Sequence, residues 1–384
     1  MNLVLTKTPA ETALGVSLPH RRMEDWRWTD LRQLISQPYP PRQKVEAKST
    51  DVDRPLKSSP FAAVAATRMV FVNGAYDAAR SKLANGAASS QAPLDEPVIA
   101  MNAAFADDGA RLQLSGNADT PIELIFLNTK AAPRAIATRN VIDIAAGSSA
   151  TIIETHLGEG DYLANSVSEF RVGEGARLDR VKLECESADA VHLSHTYVSL
   201  AKNARLNDFT FTIGARLNRQ NGTYVFAGPG AEARVSGAYL LAGKQHADTR
   251  LVVDHQVPHC LSRELFKCVM DDQARGIFQG KVIVRRHAQK TDGKQSSHAL
   301  LLSEQAEFDA KPELEIFADD VVCGHGATSG DLNHDHLFYL KSRGIPEALA
   351  RAMLVEAFVA EAVEMVEHEA VREALMALVH KRFA

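Results

Sequence analysis

Cysteine is scarce in this 384-residue chain, and it is never clustered. Cys185, Cys260, Cys268 and Cys323 are the four, and no C-x-x-C pair occurs. That spacing excludes a closed zinc site built from cysteine pairs and argues against a disulfide framework, so reduced thiols in a cytoplasm are expected. An excess of one charge is also missing. The 43 Lys and Arg stand against 48 Asp and Glu, a formal net charge of −5. With no cationic surplus to hold phosphates, neither nucleic acid nor an anionic membrane is an expected partner. No apolar run approaches the roughly 18–20 residues of a membrane span. The opening MNLVLTKTPAET lacks the basic and then hydrophobic segments of a secretory leader.

Several catalytic signatures are absent too. TDGKQS at 291–296 has Gly-Lys, but Gln295 follows and Ala288 stands where a phosphate loop needs its first glycine. Without that glycine-rich turn the backbone N–H groups cannot cradle a phosphate. GEGDYL and GEGARL lack the third glycine of a dinucleotide fingerprint and read better as turns. No G-x-S-x-G elbow is present.

What the chain has is short strands. From about residue 120 to 325, runs such as IELIFLN, ATIIETHL, RLDRVKLECE, RLNDFTFTIG and IFQGKVIV recur between Gly, Asn, Asp and Ser, which is strand chemistry. A loose repeat accompanies them. Small-residue turns lead into strands at Ala150, Ala176, Ala204, Ala233, Ala274 and Ala306, in steps of 26, 28, 29, 41 and 32 residues. Such spacing suits the coils of a β-solenoid, with an antiparallel sandwich as the rival.

Before and after this region the pattern differs. MEDWRWTDLRQLI suggests a short helix with Trp26, Leu31 and Leu34 on one side. QPYPPRQ then breaks regular structure, and RMVFVNGAYD reads as a strand ending in an Asn-Gly turn. After Asp331 the period becomes 3.6. DLNHDHLFYLKSRG is a helix with an Asp or Asn N-cap, basic residues in its last turn and Gly344 just past its end. Pro346 suits the first turn of a second helix, on which Leu354, Phe358, Ala362 and Met365 form one stripe, with Glu356, Glu361, Glu364 and Glu367 toward solvent. VREALMALVHKRF supplies a third. The division expected is a mixed N-terminal region 1–110, a β core 111–330 and a helical domain 331–384.

Two groups of residues carry possible chemistry. His246, Asp248, His255 and His259 crowd one stretch, although Pro258 precludes a helix there. They are either a stand-alone metal site or ordinary polar contacts. Cys323 and His325 flank Gly324. Thiolate and imidazole suit iron and soft metals, yet two ligands cannot close a four-coordinate site. On residue types alone this is an incomplete metal site, a nucleophile with its base, or a turn.

Longer motifs narrow the choice. KPELEIFADDV, HGATSG and LFYLKSRGI, within residues 290–345, together with DHQVPHCLSRELFKCVMDDQARGIFQGKV upstream, resemble the SufB/SufD family of iron–sulfur cluster assembly proteins. EDWRWTD, VFVNGAYD and the Cys-x-His-Gly-Ala-Thr form favour its SufD branch, as does the low cysteine count. The resemblance implies a right-handed parallel β-helix core with a C-terminal helical domain. It implies a non-catalytic cytoplasmic scaffold that pairs with SufB through the β-helix and docks the SufC ATPase through its C-terminal helices. His325 would contribute to a nascent iron–sulfur cluster shared with SufB, Cys323 would be its neighbour in that site, and no cluster would be held tightly by the isolated chain. Gly324 replaces the Ser commonly found between them. A homodimer in isolation and a polysaccharide-active β-helix enzyme are the alternatives kept.

Overall fold

The computed structural model describes residues 7–41, 47–64, 67–118 and 120–383. The leader reading at Met1–Thr6 and the end of the proline-rich break, Arg42 and Gln43, lie outside the described residues.

Eighteen strands follow in order among the described residues: β1 Thr67–Val72, β2 Ala75–Tyr76, β3 Arg111–Leu114, β4 Ile122–Asn128, β5 Ala135–Ile144, β6 Ser149–Gly158, β7 Leu163–Val172, β8 Arg177–Cys185, β9 Val191–Leu200, β10 Arg205–Thr212, β11 Leu217–Phe226, β12 Glu232–Leu241, β13 His246–His255, β14 Leu261–Met270, β15 Arg275–Val284, β16 Asp292–Leu301, β17 Glu307–Ile316 and β18 Val322–Gly330. From β3 onward they alternate between two sheets. One has the order β18-β16-β14-β12-β10-β8-β6-β4-β1-β2 and the other β17-β15-β13-β11-β9-β7-β5-β3. All pairings are parallel except the β1–β2 hairpin, whose turn residues Asn73 and Gly74 have φ of 52° and 78°. This is a parallel β-solenoid, and the sandwich alternative falls with it.

Register gives the coil length. Ala150, Leu178, Leu206, Ala233, Ser262, Gly293 and Cys323 are successive partners along one sheet. Their steps run from 27 to 31 residues. The alanine repeat in the sequence has the right length but mixes two series: Ala274 and Ala306 precede β15 and β17, on the other sheet, and the 41-residue step marks the jump.

Alternate side chains meet inside the coil. One half of the lumen is apolar, with Leu178, Phe170, Phe226, Phe266, Phe278 and Met270 among its buried residues. The outer faces are covered rather than wet. On the longer sheet, Val181, Leu183, Phe209 and Phe211 pack against helices α6 (Glu347–Val363) and α7 (Glu369–Phe383). On the shorter sheet, Leu163, Leu193 and Leu217 pack against the N-terminal segment through Trp26, Leu31 and Tyr39.

Local signals hold where capping chemistry is strong. Helix α5 (His334–Ser342) has Asn333 as N-cap, accepting from Asp335 and His336 N–H, and Gly344 follows with φ 84°. Two expectations need correction. Trp26 lies in a 3-10 turn, Glu24–Trp26, separate from the four-residue helix Leu31–Leu34, because the Asp30 side chain starts a new helix there. On α6 the buried stripe is Val355, Val359, Ala362 and Val363, with Leu354 and Phe358 half-buried beside it, and Pro346 is its N-cap. The stripe turned by one residue because the helix lies under a sheet on one side and beside α7 on the other.

Candidate functional site: the open end of the solenoid

The coil ends without a cap. β17 and β18 are the last strands of their sheets, 10 and 9 residues long, and no strand pairs with their outer edges among the described residues. Ile316, Phe317 and Val322 are exposed at this end. Long unpaired edges with apolar residues beside them favour pairing with another chain.

Cys323 and His325 sit on this last strand. Two apart on β18, they face the same side of the sheet. In register, Cys323 lies beside Gly293 and His325 beside Gln295. Gln295 points inward, since its carboxamide reaches Gly280 on the facing sheet. Both rim residues therefore top the lumen. Cys323 is half-buried against the lumen core, whereas His325 is exposed. Burial, with Asp292 and Glu264 nearby, pushes the Cys323 thiol upward, so the isolated chain presents a thiol and not a ready nucleophile. The strand runs straight through Gly324 without a turn, which keeps the two side chains parallel and removes the nucleophile–base reading.

The second candidate group is dispersed. His246 sits on the outer face beside Thr29, 2.9 Å away, and Asp248 is buried against Arg219, Thr29 and Gln279. His255 faces the lumen, stacked on Phe226 with ring centroids 4.2 Å apart, and His259 is exposed in a turn. Burial pushes both His246 and His255 down to about 4. Among the described residues no three His, Cys, Asp or Glu side chains converge on a metal position. The rim pair likewise has no third His, Cys, Asp or Glu converging on it among the described residues.

One polar site escaped sequence reading. Deep in the lumen Arg180 bonds Glu154 at 2.7 Å and Asp208 at 2.8 Å, and Tyr224 donates to Asp208 at 2.9 Å. Lys182 contacts Glu184, and His192 lies 3.0 Å from Glu184 and 2.6 Å from Glu186. In RLDRVKLECE Arg180, Lys182, Glu184 and Glu186 thus point inside, whereas Arg177, Asp179, Val181 and Leu183 face outward. The signal that both faces are buried was the apolar second phase of that strand.

Comparison with known proteins bears on the whole chain. The family described as "SUF system FeS cluster assembly, SufBD core domain" matches residues 126–358, more than half of the chain. Iron-sulfur cluster assembly protein SufD of Escherichia coli is 28% identical over 96% of this chain and 90% of its own length. A SufBD-family iron–sulfur cluster assembly protein of Synechocystis is 29% identical over 95% of this chain and 87% of its own. SufD of Bacillus subtilis is 27% identical over 75% and 67%.

Proposed function

Because the chain belongs to the SufBD family of iron–sulfur cluster assembly proteins, we propose that it is the SufD-type scaffold subunit of a Suf complex, without catalytic activity of its own. Its open end pairs edge to edge with a SufB-type chain in the cytoplasm. The observation that carries this reading is the uncapped rim: β17 and β18 expose their edges, and His325 stands exposed on the last rung beside Cys323. A partner chain completes the coordination that two side chains leave open. The nascent cluster is cargo at this shared site.

The helices after Asp331 serve as the dock for a SufC-type ATPase. Phe338, Tyr339, Leu349 and Met353 are exposed on α5 and α6, an apolar surface that a partner would cover. The missing phosphate loop fits a division of labour in which the ATPase is a separate subunit and its hydrolysis reshapes the assembly.

Co-expression with SufB- and SufC-type chains tests the proposal. The full chain should purify with both, and a chain lacking 332–384 should retain the SufB-type partner while losing the ATPase. Unchanged ATPase capture by the shortened chain would reject the docking role, and failure of the full chain to pair would reject the rim.

A further inference from the structure

Below the rim, the lumen holds a group of buried oxygens that are short of hydrogen-bond partners. Glu264 on β14 lies in register beside Gln295 on β16, and Gln295 beside His325. Both Glu264 carboxyl oxygens, the Gln295 Oε1 and the Ser297 Oγ have no hydrogen-bond partner. Glu264, Gln295 and Ser297 are 3%, 2% and 1% exposed. The Ser262 hydroxyl lies beside the Glu264 carboxyl, whose charged form it favours, and is also 3.1 Å from His255 Nε2. Gly280 leaves the hollow that the Gln295 carboxamide fills, since a Cβ there would meet Oε1 at 2.2 Å.

Three groups here offer acceptor oxygens, and the Gln295 amide N–H is directed to the Gly280 carbonyl at 3.4 Å, which leaves the Ser297 hydroxyl and the neutral form of the Glu264 carboxyl as donors. Leaving such groups unpaired away from water is costly. Elsewhere in this lumen the problem is solved by opposite charge, as Arg180 and Lys182 show. Glu264 has no such ion pair, and the neighbouring Arg263 lowers it only weakly against burial. Burial pushes it up to about 8.

We propose that this end of the lumen is a divalent-cation site formed by the Glu264 carboxylate, the Gln295 carbonyl oxygen and the Ser297 hydroxyl. An all-oxygen set of this kind suits Mn2+ or Fe2+ better than a soft metal. The ion enters through the open end of the coil, past the exposed His325 on the last rung. The inference rests on the rim reading for its purpose, which is to hold an iron ion one layer beneath Cys323 and His325 before a partner arrives.

Anaerobic Mn2+ titration of the full-length isolated chain, followed by electron paramagnetic resonance, tests it. Wild type should bind one Mn2+, Glu264→Gln should weaken binding about tenfold or more, and a Cys323→Ser/His325→Ala double variant should bind like wild type. Gln295→Leu should weaken binding as well, and it carries the test should Glu264→Gln fail to fold. Equal binding by wild type and Glu264→Gln, or no binding by wild type, overturns the site. Loss in the double variant but not in Glu264→Gln places the ion at the rim instead. Pairing with a SufB-type chain is scored separately, so that failure of the rim and failure of the lumen site are distinguished.

Discussion

His192 is charged in the middle of a protein because two carboxylates flank its ring, and they outweigh a burial that opposes the charge. They push it up to about 9, while His156, 4.8 Å away ring to ring, is pushed down to about 4 by burial and by the positive Lys182 and His192. The folded state thus holds the His192 proton more tightly than the unfolded chain, and the resulting stability is complete below about pH 6.5 and is lost as pH rises through 9. For His156 the sign reverses: its contribution is present above about 6.5 and disappears as pH falls toward 4. Denaturant melts across pH should fall off on both sides, and 13C-labelled histidine spectra should show one ring, His192, titrating near 9 and three, His156, His246 and His255, near 4. Lys182→Met leaves Glu184 and Glu186 facing a single imidazolium. It should destabilise the chain by about 3–5 kcal/mol in urea unfolding. At the rim the cost is small. Exposed His325→Ala should leave the melting temperature unchanged while impairing cluster formation in the full complex, and a variant that forms clusters as wild type does would remove His325 from the site.

Helix α6 packs directly on the sheet beneath it. Phe209 is fully buried between β10 and the C-terminal helices. Phe209→Ala should cost about 3–5 kcal/mol, and hydrogen exchange should show α6 and α7 opening before the solenoid does. The edges of β17 and β18 behave in the opposite way. Phe317→Lys with Val322→Lys should barely alter stability and should abolish partner capture, read by co-purification, because charge on an edge blocks strand addition. Legibility followed the same division. The rim was readable since Cys323, His325 and their flanking motifs are contiguous, and α5 since Asn333 and Gly344 punctuate it. Glu264 and His192 were not, since a buried charge and a solvated one look alike in a strand until the opposite face is known to be covered. The repeat was legible in length and not in phase, since each coil carries two strands with similar entry turns.

Along its axis the solenoid is a stack in which each strand pairs only with those of the adjacent coils. Protection from hydrogen exchange should therefore grade along the axis, highest around β8–β12 and lowest in β17 and β18. Binding of a partner chain should raise protection in the last coil first. An isolated chain whose final strands exchange as slowly as its middle would show that the end is sealed by some other contact.

After β18 the chain turns back, and α6 crosses β12 and β14 rather than extending the axis. Lys267 of β14 is clasped there by Glu361 and lies 4.6 Å from the ring centroid of Phe358. Three residues earlier the same strand carries Glu264. The outer contact with the returning helix and the buried carboxyl inside the coil thus sit three residues apart on one extended strand, on opposite faces of the same wall.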